Sequence, residues 1–585
     1  MIFWVEWLKR IMSLGIGLSK VNLFKPFYKK NKRLFIILML LSFLSSFFQV
    51  SMVAFILPIL DFIEMNGDID TTKTYWNIIS QFFNFININM NIYTLALFNL
   101  FIVFTFQVLD YFRLIYIQYL HPLGMKFIRE DLMKHFLLDD YIKINSYSKS
   151  ALITLYTVHA SEYGNLFYRI FVFLSLIIQI ILFTLILSII NIYILFLIIL
   201  YILIIVFLTI KRGEYAKESG KEIADINDKV LQRVTEALAS LKIIKVFNFE
   251  NNIFNKSIED SNNLLEKNMI VYKIKGLMNF IDTFNFIFLM SVLVISYEYF
   301  KLPLSEIVVF LFLLFRLVPL LKQVNLEKVE INSKLESALK IKRITDSNEK
   351  KITFKYYKKN KVLQSIKLDL LYFNFINNKS ILRELSLEFY KGNHYSIIGK
   401  SGAGKSTLVN VILGLYHPTQ GNIRFMDNKN KQIDINSIKT FYMSQDSFIL
   451  NGTVKENLLF GMEDYNCIKN EIFIDALKKV DLWNLFKEQD GLKTYIQEDG
   501  ANLSGGQKQR LSLARLFIQD YDLVILDEHT SAIDRRSINI INNSIRFITD
   551  SIVINITHSD AIIGNTDIVI ELENGKIKDI NEVKK

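Results

Sequence analysis

The sequence predicts a protein of two parts, an α-helical membrane domain followed by an α/β domain. The composition is the first indication, because 51% of the 585 residues are hydrophobic and only 21% are charged, whereas soluble chains average about 25% charged residues. The second indication is the arrangement, since long apolar segments come first and short apolar runs alternating with turns follow. The single cysteine, Cys467, excludes a disulfide-rich secreted domain.

Six stretches reach about the 20 apolar residues that a helix needs to cross a bilayer. Their approximate bounds are residues 34–60, 92–120, 166–190, 192–210, 277–297 and 304–321. The opening residues 1–19 are too charged and too short to span, and no small-residue cleavage site follows them. We therefore expect an interfacial elbow helix within residues 1–33 and a membrane domain at residues 34–344.

The net charge of +11 is concentrated beside the apolar segments. Basic residues precede the first predicted span and follow the fourth, as in loops that stay on the cytoplasmic side of a membrane. This places the N-terminus and the loops at 121–165 and 211–276 in the cytoplasm. A basic nucleic-acid-binding surface is the rival interpretation, and the distribution of the charges argues against a nucleic-acid partner.

An outward loop between the first two predicted spans contains aromatic and apolar residues at helical spacing. These residues are Tyr75, Trp76, Ile79, Phe82 and Phe83. The spacing predicts an amphipathic helix over residues 72–85, which either lies on the outer leaflet or packs as a helix of the loop.

An ionisable residue inside a span costs roughly 2.5 to 3.5 kcal/mol on insertion scales, so each one needs a reason. Asp110 and Arg113 are three residues apart, close enough to pair on one helix face. Arg316 lies in the sixth span and is followed by Pro319, which can kink the helix. These residues either contact an anionic substrate or serve structurally, as an ion pair or a water-lined wall.

In the second part, a phosphate-binding loop follows an apolar run at residues 396–398. Residues 399–407 read GKSGAGKST, the pattern G-x-x-x-x-G-K-S, and a helix is predicted to begin near Lys405. The glycines let backbone N–H groups surround phosphates at a helix N-terminus. Lys405 then reaches the outer phosphates of a nucleotide, and the Ser406 hydroxyl binds Mg²⁺.

A buried strand, residues 523–526, ends in two carboxylates. Asp527 is expected to contribute to the coordination shell of Mg²⁺. Glu528 is expected to polarise the water that attacks the γ-phosphate, which is worth roughly two to four orders of magnitude in rate.

A second glycine-rich turn, with the sequence LSGGQKQR at residues 503–510, opens another helix and so forms another anion site. This peptide is the signature of the ATP-binding cassette (ABC) family, and six spans before one cassette resemble its exporter half-transporters. The resemblance implies a membrane α-helical domain of six transmembrane helices (the type IV ABC exporter fold) fused to a C-terminal α/β P-loop nucleotide-binding domain. The linker would be residues 345–360 and the nucleotide-binding domain residues 361–585.

The resemblance also implies residue roles. Phe375 falls where the family stacks an aromatic ring on adenine, and Gln445 resembles the glutamine that senses Mg²⁺. Glu528 and His558, which resembles the switch histidine, would be catalytic. The other implied nucleotide contacts are Gly399, Ser401, Gly402, Ala403, Gly404, Lys405, Ser406, Thr407, Ser504, Gly505, Gly506, Gln507 and Asp534; the implied Mg²⁺ ligands are Ser406, Gln445 and Asp527. The chain departs from the family pattern at His529, where alanine or proline is common.

In the family, ATP lies between the phosphate loop of one cassette and the signature of another, so two copies are implied. The intact catalytic positions favour a homodimer. ATP binding and hydrolysis would act on the membrane domain through short cytoplasmic helices near residues 141–152 and 238–245.

The predicted substrate rests on finer similarity. Residues 57–59 and 315–319 resemble the membrane domains of bacterial lipid-linked oligosaccharide flippases. We therefore expect ATP-driven outward movement of a lipid-linked oligosaccharide or related glycolipid across a bacterial cytoplasmic membrane, with its pyrophosphate near Arg113 and Arg316. The alternatives are an exporter of a small peptide, drug or other amphipathic compound, and a cassette protein that gates a channel.

Overall fold

The computed structural model describes residues 25–65, 74–190, 192–300, 304–345, 362–375, 380–462, 468–529, 533–558 and 560–583. The chain divides into two compact units, one of residues 1–139 and 144–352, the other of residues 140–143 and 353–585. Most of the expected elbow helix (residues 1–24) and most of the expected linker (residues 346–360) lie outside the described residues.

The described part of the first unit is helical. The helices up to residue 345 are α1 (Lys25–Lys30), α2 (Lys32–Ala54), α3 (Ile56–Glu64), α4 (Thr74–Phe85), α5 (Ile92–Leu138), α6 (Tyr141–Asn145), α7 (Lys149–Thr154), α8 (Ala160–Ile190), α9 (Ile192–Ala239), α10 (Leu241–Val246), α11 (Glu250–Phe300) and α12 (Leu304–Thr345). A π-helical turn, Leu155–His159, joins α7 to α8. The short helices α6 and α10 coincide with the two places where short cytoplasmic helices are expected.

The long helices exceed the thickness of a membrane. Helices α5, α9, α11 and α12 have 47, 48, 51 and 42 residues, and about 1.5 Å per residue makes each longer than a bilayer of about 45 Å. Three helical segments among the described residues are long and apolar enough to span, namely Lys32–Glu64, Ile92–Leu138 and Lys149–Leu185. The other three predicted spans fall on α9, α11 and α12, in stretches whose side chains are largely outside the described ones.

The first predicted span is interrupted, which corrects the expectation of one continuous helix. Helix α2 ends at Ala54 and α3 begins at Ile56. Pro58 explains the break, because its nitrogen has no hydrogen to donate to the carbonyl of Ala54 four residues earlier and its ring crowds that carbonyl.

A shared core joins α1, α2, α5, α8 and α12. Phe27, Leu38, Leu120, Phe167 and Leu335 are buried in one cluster. Helices α5 and α8 approach closely, since a Cβ on Gly164 would lie 2.4 Å from the carbonyl oxygen of His121. The opposite face of α5 exposes large apolar side chains, which suits contact with lipid: Leu97, Leu100, Phe101 and Phe104.

Helix α4 packs against its neighbours. Trp76 and Phe83 are buried in a cluster with Leu95, and Ile79 lies against the same cluster. Phe82, from the same predicted stripe, is 43% exposed, and Phe85 is 87% exposed. Of the two interpretations of the amphipathic segment, the structure favours the packed helix.

Ion pairs fasten the helices beyond the predicted spans. Lys340 on α12 lies 2.5 Å from Asp228 and 2.7 Å from Asp225, both on α9. The buried His159 of the π-turn places Nε2 3.0 Å from Asp228 and Nδ1 3.0 Å from the hydroxyl of Ser337. Three elements are thereby held together by one polar cluster.

The second unit is an α/β fold. Its strands are β1 (Leu363–Asn374), β2 (Ser380–Tyr390), β3 (His394–Ile398), β4 (Gln420–Asp427), β5 (Gln432–Ile433), β6 (Thr440–Met443), β7 (Gly452–Thr453), β8 (Tyr495–Ile496), β9 (Leu523–Asp527), β10 (Ile552–Ile556), β11 (Ile568–Glu573) and β12 (Lys576–Glu582). Its later helices are α13 (Lys405–Ile412), α14 (Val454–Leu458), α15 (Asn470–Lys479), α16 (Trp483–Lys487), α17 (Gly505–Ala514), α18 (Arg535–Arg546) and α19 (Asp560–Ile563).

Two sheets organise this unit. A six-stranded sheet has the order β12-β11-β3-β10-β9-β6, parallel except for β12, and an antiparallel four-stranded sheet has the order β2-β1-β4-β5. The central strands are buried on both faces, which explains why residues 523–526 form an unbroken apolar run. Helix α6 contributes to this unit through Ile142, which packs against the core cluster that includes Ile397.

Candidate nucleotide site

The six-stranded sheet brings the predicted catalytic elements to one edge. Strands β3, β10 and β9 are adjacent and parallel, so their carboxyl ends meet where ligands bind in open α/β sheets. Gly399 directly follows β3, Glu528 directly follows β9, and His558 is the second residue after β10. Three motifs that are far apart in sequence therefore share one edge.

The loop after β3 forms a cradle. Gly402 and Gly404 have φ angles of +81° and +101°, which favour glycine, and a Cβ on Gly402 would meet nothing within 4 Å. The Lys405 ammonium group lies across the loop and donates to the carbonyl oxygens of Gly399 at 2.6 Å and Lys400 at 3.2 Å. An open glycine backbone, a lysine and a helix N-terminus suit the phosphates of a nucleotide.

The predicted nucleotide-contacting residues differ in exposure. Ala403, Gly404 and Lys405 are buried under the loop. The exposed ones are Phe375, Ser401, Gly402, Ser406, Gln445, Ser504, Gly505, Asp534 and His558; the half-buried ones are Gly399, Thr407, Gly506, Gln507, Asp527 and Glu528. Apart from Lys405, the polar side chains expected to meet the ligand are thus at least partly exposed.

Of the two carboxylates at the end of β9, Glu528 contacts a further element. Gln445, after β6, donates its amide N–H to the Glu528 carboxylate at 2.8 Å. Burial raises the pKa of Asp527, the neighbouring Glu528 raises it further, and Lys405 opposes the rise. Burial and Asp527 also raise the pKa of Tyr442 to about 12. A negative charge at Asp527 is therefore costly without a cation beside it.

The donor set suits Mg²⁺. Ser406, Asp527 and Gln445 offer a hydroxyl, a carboxylate and an amide oxygen, which are hard oxygen donors. Among the described residues no group of three or more His, Cys, Asp or Glu could hold a metal ion by itself. Mg²⁺ is usually held by one or two carboxylates together with nucleotide phosphates, and Asp527 supplies one such carboxylate.

Glu528 has an unusual backbone. Its φ is +48°, and its N–H donates to the carbonyl oxygen of Ile556 on β10 at 3.0 Å. Left-handed backbone at a non-glycine residue is uncommon and concentrates at functional sites. The next residue, His529, is buried, and its burial lowers its pKa to about 4.

Phe375 belongs to an aromatic group that sequence reasoning found only in part. Its ring lies edge-on to Phe373 and to Tyr416, at centroid distances of 5.1 and 5.8 Å. Phe373 and Tyr416 stack nearly parallel at 5.1 Å. Tyr416 follows α13 and carries no motif, so no sequence signal could have assigned it to this group.

The signature peptide forms a helix N-cap. The Ser504 hydroxyl accepts from the Gln507 N–H at 3.3 Å, and the Gln507 side chain accepts from the Ser504 N–H at 2.8 Å, which is a capping box. Asp534 likewise caps α18 by accepting from the N–H of Ser537 at 3.0 Å. Arg510 donates to the Ser537 hydroxyl at 3.2 Å and so connects the two helices.

In the first unit, the charged pair that was considered for substrate contact is internally satisfied. Arg113 donates to Asp110 at 2.7 Å through Nε and to the Ser175 hydroxyl at 2.7 Å through Nη1. Ser45 donates to the same Asp110 oxygen at 3.0 Å. The pair thus joins α2, α5 and α8, which favours the structural interpretation. Arg316, by contrast, is exposed on α12.

Two family models match the chain. The ABC transporter transmembrane region matches residues 35–316, and the ABC transporter model matches residues 382–531. Together they span more than half of the chain.

Curated relatives match over part of their length. The heterocyst differentiation ATP-binding protein of Nostoc sp. is 32% identical over 49% of this chain and 48% of its own. The lactococcin-G-processing and transport ATP-binding protein of Lactococcus lactis is 29% identical over 62% of this chain and 52% of its own. The microcin-J25 export ATP-binding/permease protein of Escherichia coli is 39% identical over 35% of this chain and 36% of its own. The chain therefore spans about half the length, or less, of these relatives.

A solved structure extends the likeness to the whole fold. A bacterial Atm1-family ABC exporter with ATP bound superposes with a TM-score of 0.78 at 18% identity and covers 94% of this chain and 95% of its own. The type IV exporter fold predicted from the sequence is confirmed by this match. The fold and the two family matches agree, and the chain belongs to the ABC transporter family, with a transmembrane region followed by an ATP-binding cassette.

Proposed function

We propose that this protein is an ATP-driven exporter that moves a small peptide or similar amphipathic compound outward across a membrane. The observation that carries the ATPase activity is the meeting of the phosphate loop, Glu528 and His558 at one edge of the sheet, with Gln445 hydrogen-bonded to Glu528. The exporter activity is supported by the family models and by the exporter fold.

Each residue has a step in this proposal. The glycine loop and Lys405 bind the phosphates of ATP, and Phe375 stacks on its base. Mg²⁺, when bound through Ser406, Gln445 and Asp527, neutralises charge on the phosphates. Glu528 accepts a hydrogen bond from the attacking water and draws its proton, while His558 donates to the γ-phosphate. Gln445, which donates to Glu528, would leave that carboxylate free for the water if its side chain instead bound Mg²⁺.

We further propose that two copies of the chain act together. The chain has one phosphate loop and one signature helix, and the N-terminus of the signature helix α17 is a second anion site. Ser504, Gly505 and Gly506 would contact the γ-phosphate held by the other copy. Because the catalytic residues are all present, a homodimer with two active sites is the simplest assembly.

The proposed substrate is the peptide or drug alternative and not the lipid-linked oligosaccharide. Relatives at 29% and 39% identity carry names that assign them to transport of lactococcin G and export of microcin J25. In addition, Arg113 is neutralised by Asp110 and bonded to Ser175, which removes one of the two arginines expected to hold a pyrophosphate. Of the two arginines expected to hold a pyrophosphate, Arg316 alone is left for a lipid-linked substrate.

The test is the ATPase rate of the full chain in liposomes with three added probes. We expect microcin J25 or ethidium to stimulate hydrolysis by about twofold or more, and a lipid-pyrophosphate-linked oligosaccharide to leave it unchanged. Arg316→Ala should respond to the peptide as the unsubstituted chain does.

Each contrary result has a clear meaning. Stimulation by the lipid alone, lost in Arg316→Ala, would overturn the peptide proposal in favour of the flippase. Hydrolysis without any vesicle transport, under conditions where Glu528→Gln is inactive, would indicate a cassette that regulates instead of pumping.

A further inference from the structure

A buried polar cluster includes His529, the residue that directly follows Glu528 in the chain. His529 is 1% exposed and Asn555 is 3% exposed. Among the residues that the structure describes, neither ring nitrogen of His529 has a hydrogen-bond partner, and neither does the side-chain oxygen of Asn555. Buried polar groups are almost always hydrogen-bonded in native proteins, so three unpartnered atoms in one place need an explanation.

These side chains face one small cavity. His529 and Asn555 line it together with Asn542 and Thr566, and the space suits a water molecule. A neutral imidazole has one donor and one acceptor, and an amide oxygen accepts, so a single water can bond both residues. A buried water usually makes about three hydrogen bonds to such groups.

The cavity is tied to the reaction through the backbone. His529 directly follows Glu528, whose φ of +48° is one that the surroundings must impose. The Glu528 N–H donates to the carbonyl oxygen of Ile556, and Asn555 is the residue before it on the same strand. Strand β10 therefore lies beside residues 528–529 at two points: the Ile556 carbonyl accepts from the Glu528 N–H, and Asn555 lines the same cavity as His529.

We propose that ordered water in this cavity joins the His529 ring to the Asn555 side chain, and that His529 is thereby a positioning residue that holds Glu528 in its left-handed conformation. The inference rests on the proposed ATPase activity of Glu528. His529 does not touch the nucleotide; it acts by holding the carboxylate of its neighbour in line with the attacking water.

The experiment compares two substitutions in the full chain. His529→Leu fills the site without hydrogen bonds, and His529→Gln keeps a donor and an acceptor. We expect the leucine variant to lose about tenfold in kcat while KM for ATP changes less than about twofold, and the glutamine variant to recover most of the loss. Hydrogen exchange of the Glu528 amide should be about tenfold faster in His529→Leu than in the unsubstituted chain.

The link through water is tested by a double-mutant cycle. Asn555→Leu should lower kcat by itself but add little to His529→Leu, because both break the same connection. His394→Leu is the matched control. This histidine, the first residue of β3, lines the same cavity, but its Nε2 is already hydrogen-bonded to the carbonyl oxygen of Ile548 at 2.9 Å. We expect it to lower the unfolding temperature with kcat preserved.

Two results would overturn the inference. One is full kcat in His529→Leu with unchanged exchange at the Glu528 amide; the other is additive losses in the cycle. If the unsubstituted chain does not hydrolyse ATP, the proposed function fails, and the exchange measurement still decides whether His529 holds Glu528.

Discussion

The two units use polar side chains in opposite ways. In the first unit, Arg113 and Asp110 are hydrogen-bonded to each other and to two serines. In the cassette, polar atoms at the sheet edge stay accessible, as at Ser406 and His558. In the membrane unit this ion pair joins helices, whereas in the cassette the polar side chains remain accessible to a ligand.

This difference explains why sequence motifs identify the reaction but not the cargo. Phosphate chemistry demands particular residues at fixed spacing, and these occur within short peptides. Recognition of an amphipathic cargo uses scattered apolar and polar side chains on several helices. A charge inside a span is a hypothesis about function, and the partners of Arg113 favour a structural role over substrate contact.

The largest expected effect lies in the cassette. Glu528→Gln keeps the shape of the side chain but removes the base, so kcat should fall by about 10²- to 10⁴-fold while ATP binding is retained. Phosphate release and nucleotide binding of the liposome-embedded protein measure the two quantities. Glu384→Gln is the control, because Glu384 also has a positive φ of +55° but is paired with Lys576 at the surface.

The next effect tests the structural use of charge in the membrane unit. Arg113→Leu leaves Asp110 without its cation and should destabilise the protein by about 3 kcal/mol. Adding Asp110→Leu should recover most of that loss. Thermal unfolding in detergent measures both. A stable Arg113→Leu variant that has lost only its stimulation by cargo would favour the substrate interpretation instead.

A smaller effect concerns the base of ATP. Phe375→Ala removes a stacking surface worth about 1–3 kcal/mol, so KM for ATP should rise by about tenfold with little change in kcat. Phe375→Tyr should match the unsubstituted chain, because the ring is kept. Tyr416→Ala should raise KM less, since Tyr416 contacts Phe375 edge-on and has no expected contact with the base. Equal KM values in all three variants would remove Phe375 from the site.

The smallest effect is a pH-dependent one at Asp534. Hydrogen bonds from the N–H and hydroxyl of Ser537 lower the pKa of Asp534 below the model-peptide value of 3.8. The cap therefore stabilises fully above that value and is lost as pH falls through the lower folded-state pKa. Asp534→Ala should lower the unfolding temperature by a few degrees at pH 7, and the difference should vanish in acid. An equal difference at both pH values would contradict the capping role.

Local patterns predicted much of this molecule. The glycine loop, the buried strand ending in Asp527 and the glycine-rich turn that opens the signature helix are each contained in a short peptide, so their spacing alone could locate them. The break before Ile56 was not predicted, although Pro58, which cannot bond to the carbonyl of Ala54, explains it. Six apolar stretches gave the helical order of the membrane unit.

Long-range packing was not readable. Nothing in the sequence pairs Arg113 with Ser175, which is 62 residues away, or stacks Tyr416 on Phe373. The burial of Trp76 depends on Leu95 from another helix. Among the described residues, the lack of a hydrogen-bond partner for the His529 nitrogens can be recognised only in the folded structure, where β3, β9 and β10 lie side by side. Such contacts depend on tertiary placement, which a short sequence pattern does not encode.

The most direct test of the central claim is ATP-dependent uptake into inside-out vesicles that contain the full chain. Microcin J25 accumulation would be compared between the unsubstituted chain and Glu528→Gln, with ATP and without it. We predict accumulation that requires both ATP and Glu528. Equal uptake by both proteins, or hydrolysis of ATP with no uptake of peptide, drug or lipid, would contradict the account of an ATP-driven exporter.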